Sequence, residues 1–185
     1  GATKKGGNCR LALSDSDKDA RDLFVSWCKK AGCLISVDAI GNIFARRPGK
    51  NASLSAIMAG SHLDTQPTGG RFDGVLGVLS ALEVVQTLND QNISTDVPID
   101  IVCWTNEEGS RFAPSMMGSG VHAGVFNLES IKGTTDADGI LLGTELERIG
   151  YAGSDVPGSR KTSAYFELHI EQGPILEKEK KTIGI

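Results

Sequence analysis

Apolar positions change their period several times along this chain, and the changes mark alternating helices and strands. Ser14-Asp-Ser-Asp17 offers helix caps and first-turn acids. Ala20, Leu23, Phe24, Trp27, Cys28 and Ala31 follow at helical spacing, which predicts a helix that stops at Gly32. Two short strands are expected next, Cys33–Val37 and Asn42–Arg46, turning through Asp38-Ala-Ile-Gly41. Ser55–Gly60 and Pro98–Trp104 read as buried strands, and between them a Gly-rich loop at 67–74 leads into a helix over Val75–Leu88. Further on, helices are predicted near 116–125, 127–132 and 137–149, a loop over Gly153–Lys161, and a strand over Thr162–Glu171. Lys178–Lys181 reads as a solvated hairpin rim and Lys181–Ile185 as the start of another strand. Residues 1–13 show no capped element. The alternation implies an α/β layered sheet. Thr182-Ile-Gly-Ile185 ends the chain inside an apolar, strand-like run, which reads as a cut through a larger domain.

Composition narrows the function. The 185 residues allow one domain with a sizeable core. A net charge of -4 argues against a nucleic-acid or anionic-membrane partner, and no apolar run approaches the ~20 residues of a membrane span. There is no basic start followed by an apolar stretch, as a signal peptide would have. The four cysteines have no CxxC spacing. Cys28 and Cys103 lie in apolar runs as small core residues, which suits reduced thiols and a cytoplasmic setting.

Four segments carry chemistry: Gly60-Ser-His-Leu-Asp-Thr65, Gly69-Gly-Arg-Phe-Asp-Gly74, Asn106-Glu-Glu-Gly-Ser-Arg-Phe112 and His169-Ile-Glu-Gln-Gly-Pro174. They hold two of the three histidines, and they fall at predicted strand ends, where open α/β sheets place their ligands. Imidazole and carboxylate suit zinc and other borderline transition metals. The glycines around Asp73 let the backbone fold tightly enough to bring that carboxylate back beside His62, and one aspartate can bridge two cations ~3.5–4 Å apart. Glu107 and Glu108 repel each other unless one is neutralised or both face cations. One can bind metal while the other takes a proton from a metal-activated water and passes it to a leaving nitrogen. Gln172 can offer a donor and an acceptor to a substrate amide. Taken singly, each feature also fits a bland reading: a structural histidine, solvated glutamates, a glycine turn. His122, in a small-residue helical segment, is read as structural, with a hydrogen bond to a neighbouring loop. Met116 and Met117 read as core filler. Arg71 and Arg111 flank the acids, either orienting them or balancing their charge.

These residues resemble the N-carbamoyl-amino-acid amidohydrolases, a group that includes β-ureidopropionase, N-carbamoyl-L-amino-acid hydrolase and allantoate amidohydrolase, within the dinuclear metallo-aminopeptidase and aminoacylase superfamily. The match runs from Arg10-Leu-Ala-Leu-Ser-Asp15 through the four segments and Asp136-Ala-Asp-Gly-Ile140 to Glu167-Leu-His-Ile-Glu-Gln-Gly-Pro174. The resemblance implies a three-layer sandwich around a central mixed, mostly parallel sheet, here truncated. It implies two divalent ions per complete subunit: zinc, or alternatively manganese, cobalt or nickel. His62 and His169 would hold one ion, Asp73 would bridge, and Glu108 would hold the other. Glu107 would be general base and then acid, and Gln172 would contact substrate. The reaction implied is hydrolysis of a carbamoyl or ureido C–N bond by a cytoplasmic homodimer. Related aminoacylases and dipeptidases carry an acidic ligand where this chain has His169. Family members are about twice as long, so residues 1–185 are expected to be a partial catalytic domain. A fifth ligand, a carboxylate-binding arginine and a lid and dimerisation domain would then lie beyond residue 185, with a further helix before Arg10. The isolated piece is accordingly expected to be an inactive, metal-binding fragment.

Overall fold

A computed structural model describes residues 1–185. Eleven elements follow in order: α1 (Asp15–Lys30), β1 (Leu34–Val37), β2 (Ile43–Arg47), β3 (Ala56–His62), α2 (Val75–Asp90), β4 (Ile99–Trp104), α3 (Met117–His122), α4 (Leu128–Lys132), α5 (Leu142–Arg148), β5 (Thr162–Phe166) and α6 (Ile175–Lys178). The strands form one mixed sheet in the order β1-β2-β4-β3-β5. The β1/β2 and β2/β4 pairs are antiparallel, whereas β4/β3 and β3/β5 are parallel. The parallel half carries the site. From β3 the chain crosses through α2 to β4 on one side and later returns as β5 on the other, so the strand order reverses at β3. Such a reversal leaves a crevice at the carboxyl ends of the strands.

Burial follows the strand alternation. Ile43, Ala45, Ile101 and Cys103 point into the main core with Phe24 and Cys28 of α1 and Val78, Ala81, Leu82 and Val85 of α2. Phe44, Met58, Val102 and Trp104 form a smaller cluster on the opposite face. The α1/α2 layer and the sheet are thus two of the three expected layers. On the second face His122 packs 5.5 Å from the Phe44 ring and 5.3 Å from that of Trp104, while the Arg160 guanidinium lies over Phe44.

Several elements depart from the expected bounds. The strand begun at Thr162 ends at Phe166 rather than Glu171, because the following residues leave the sheet to build the site. Residues 137–141 belong to a turn in which Asp136 Oδ1 accepts the Asp138 and Ile140 amides, so the helix there covers only Leu142–Arg148. The segment at 178–181 is the end of the short helix α6 instead of a hairpin rim, and residues 181–185 form no strand. Met117 is fully buried, but Met116, in left-handed backbone, is 54% exposed and is not core filler. Cys28 and Cys103 are core residues as expected, joined by Cys33.

His122 does bind a loop. Its Nδ1 accepts the Gly158 N–H at 3.3 Å, pinning the 153–161 segment to the sheet. Burial against the aromatic rings lowers its pKa, and Arg160 lowers it further. The unfolded chain therefore takes up this proton at a higher pH than the native one. Stability contributed here is complete above the ordinary histidine pKa of about 6.5 and is lost as pH falls through the lower native value. The carboxyls of Asp38 and Asp64, raised by burial, act with the opposite sign over the same range, so the His122 contribution should appear in denaturant unfolding as a stability difference between wild type and His122→Phe that shrinks from pH 8 to pH 5; a difference independent of pH would disprove the assignment.

Candidate metal centre

The site assembles from the ends of three adjacent strands. His62 is the last residue of β3 and is 1% exposed. Its Nδ1–H donates to the Asp64 carbonyl at 2.8 Å, which leaves the Nε2 lone pair free. His169, beyond β5, is fixed the same way by the Ile170 carbonyl at 2.9 Å. The two rings lie 5.9 Å apart and 27° from parallel. Asp73 stands between them, with Oδ1 3.2 Å from His169 Nε2 and 4.0 Å from His62 Nε2. That oxygen is buried and accepts no hydrogen bond, whereas Oδ2 accepts the Gln172 carboxamide at 2.7 Å. Gly74 closes the turn at φ 66°, and a Cβ there would lie 2.5 Å from the His62 ring. Glycine is required both by the backbone and by the space.

The acids come from the turn after β4. Glu107 Oε2 lies 3.4 Å from His62 Nε2. Burial raises its carboxyl above the usual range, and the Glu108 and Glu167 charges add to the effect while His62 and His169 oppose it. Glu108 Oε2 accepts the Gln66 amide at 2.7 Å, while its Oε1 is buried without a partner. Glu107, Glu108, Ser115, Glu167, His169 and Gln172 line a cavity of about 340 Å³.

The turn carrying these acids is held from its main chain. Asp64, which is buried, accepts the Glu107 amide at 3.2 Å and the Glu108 amide at 3.1 Å. Asn106 adopts φ 50° and donates to the carbonyls of Phe112 and Pro114, on either side of the cis Ala113–Pro114 peptide. Below, Asn42 Oδ1 accepts the Thr105 amide at 3.0 Å. Arg21, buried in α1, reaches Asp17 at 2.8 Å, the Gly41 carbonyl at 2.9 Å and Thr105 Oγ1 at 3.4 Å.

The sequence-predicted set is therefore gathered in one place, with His62, Asp73 and His169 offering ligand atoms within 4.8 Å of one another. Asp64, Gln66 and Glu167 went unassigned. Asp64 and Glu167 each sit two residues before or after a site histidine, a spacing that brings them to the same strand end. Arg111 does not serve the acids: it pairs with Asp136 and Glu145, at 3.0 and 2.8 Å. Arg71 lies over the Phe72 ring. A larger groove of about 700 Å³ shares no residue with the centre, and Arg46 and Arg160 on its wall both bind Asp100.

These residues fit a transition-metal ion. Two imidazole nitrogens with free lone pairs flank an unpartnered buried carboxylate oxygen, and no cationic side chain lines the carboxylate-rich cavity. Such donors at the switch point of an α/β sheet form a site able to hold a metal ion. Residues 58–185 match the Peptidase family M20/M25/M40, and the chain belongs to that family. It is 56% identical over 180 residues to an N-carbamoyl-L-amino-acid amidohydrolase of Rhizobium meliloti, covering 97% of this chain and 43% of that protein. It is 38% identical over 183 residues to a ureidoglycolate hydrolase of Oryza sativa subsp. japonica, covering 95% of this chain and 38% of that protein. Among solved structures, an amidase of the hydantoinase/carbamoylase family from Burkholderia multivorans superposes with TM-score 0.98 at 61% identity, covering 100% of this chain and 45% of that one. The chain thus spans less than half the length of the relatives it matches. No helix is long and apolar enough to cross a membrane.

Proposed function

We propose that the full-length protein is a metal-dependent amidohydrolase that cleaves the carbamoyl C–N bond of N-carbamoyl amino acids. The observation that carries this reading is the bare, buried Asp73 Oδ1 between the Nε2 atoms of His62 and His169. His62, His169 and Asp73 would hold one divalent ion, zinc first and manganese, cobalt or nickel as alternatives, and Asp73 with Glu108 would hold a second. Two such ions supply Lewis-acid polarisation of the substrate carbonyl and make the attacking water more acidic. Glu107 Oε2, 3.4 Å from His62 Nε2, would take up the proton of that water and return it to the leaving nitrogen. Gln172 orients the substrate amide from beside Asp73. The remaining ligand and the group that binds the substrate carboxylate come from the portion outside residues 1–185. A homodimeric, cytoplasmic protein completes the reading. Ureidoglycolate is the second substrate class, supported by the likeness to the rice protein, and allantoate is grouped with it as another ureido compound.

The test is ammonia release by the purified full-length protein supplied with Zn²⁺ or Mn²⁺. Turnover is expected on N-carbamoyl-L-amino acids, with slower turnover on N-carbamoyl-β-alanine, allantoate or ureidoglycolate. A chelator should abolish the activity and added metal restore it. Failure to release ammonia from all four substrate types would overturn the reading.

A further inference from the structure

The strand pairing that should hold the two histidines together stops short of them. The β3/β5 ladder ends at Ala59↔Phe166, three residues before His62 on one strand and three before His169 on the other. Past that point a different device joins the strands. Ser61, the neighbour of His62, donates its hydroxyl to Glu167 Oε1. Glu167 Oε2 accepts the Tyr165 hydroxyl at 2.6 Å, and the Tyr165 oxygen in turn accepts the Trp104 indole N–H at 2.8 Å. One carboxylate thereby ties together β3, β4 and the segment that leads to His169. Helix α2 closes over the same junction at Gly77, where a Cβ would come within 2.7 Å of both the Leu168 carbonyl oxygen and Ser61 Cβ.

We infer that Glu167 is a positioning residue: its hydrogen-bonded clamp to Ser61 and Tyr165 takes over from the β ladder and sets the His62–His169 spacing. Glu167 lines the cavity, and each of its oxygens accepts one hydroxyl proton from the strands that carry the histidines. The inference rests on the metal-binding reading above. Partners bonded directly to a metal ligand change metal affinity by about 10–100-fold, and Glu167 stands one hydrogen bond further out.

The experiment is Co²⁺ titration of metal-stripped full-length protein, followed by its visible absorption and by competition with a chelator. Glu167→Ala should weaken the histidine site by up to about 10-fold, the low end of the range for direct partners, and shift the Co²⁺ spectrum. Ser61→Ala and Tyr165→Phe should each move affinity and spectrum in the same direction by less, and they keep the test decisive should Glu167→Ala not fold. Glu167→Gln should stay near wild type, because a carboxamide can accept from Tyr165 while Ser61 turns to accept its N–H. Wild-type affinity and spectrum in folded Glu167→Ala or Ser61→Ala would overturn the clamp. So would Glu167→Gln as weak as Glu167→Ala, since charge and not geometry would then be responsible. Absence of Co²⁺ binding by the wild-type protein would overturn the metal reading along with it.

Discussion

Glu107→Gln should reduce kcat by about 10²–10⁴-fold, the usual contribution of a positioned general acid–base group, while metal content stays unchanged. A thousandfold loss corresponds to about 4 kcal/mol of barrier. Glutamine keeps the size of the side chain at 3.4 Å from His62 but cannot take up the proton. The measurement is steady-state ammonia release with metal analysis on the same samples. Loss of metal together with activity would reassign Glu107 as a ligand, and retained turnover would remove it from the mechanism.

The second large effect is on folding. Arg21 is fully buried and its guanidinium is shared among Asp17, the Gly41 carbonyl and Thr105, with Tyr151 against its face at 5.3 Å. Arg21→Met leaves Asp17 as an uncompensated buried charge, which costs about 3–5 kcal/mol. Denaturant unfolding should show a lower midpoint at unchanged slope. Adding Asp17→Leu should recover much of the loss, since replacing both partners with apolar groups is often neutral or stabilising. If Arg21→Met alone is as stable as wild type, the pair contributes nothing net. Because Arg21 also reaches Thr105, the single variant should loosen the turn that presents Glu107 and Glu108.

The sequence made the framework legible where physics is local. Ser14 and Gly32 bracket α1, apolar residues dominate β3 and β4 because these strands lie inside the sheet and are largely buried, and the glycines before α2 allow the turn at Asp73. The chemistry-bearing residues were legible for a related reason: strand ends are readable, and open sheets place ligands there. What escaped was long-range. Nothing in the neighbourhood of Arg111 announces that its partners are Asp136 and Glu145, 25 and 34 positions away. The end of β5 at Phe166 is set by the need to bring His169 across to Asp73, and alternation of side chains cannot report such a need. Glu167 stood inside a recognised segment, yet its partners Ser61 and Tyr165 are revealed only by the folded sheet.

Asp64 has one more implication. It grips the acid pair by the peptide amides and leaves the side chains free. Any residue but proline placed at 107 or 108 brings the same two amides to the same carboxylate. The mould for the reactive groups is thus independent of their identity, and these two positions can be redesigned as interchangeable sockets, with new chemistry fitted into an address already fixed.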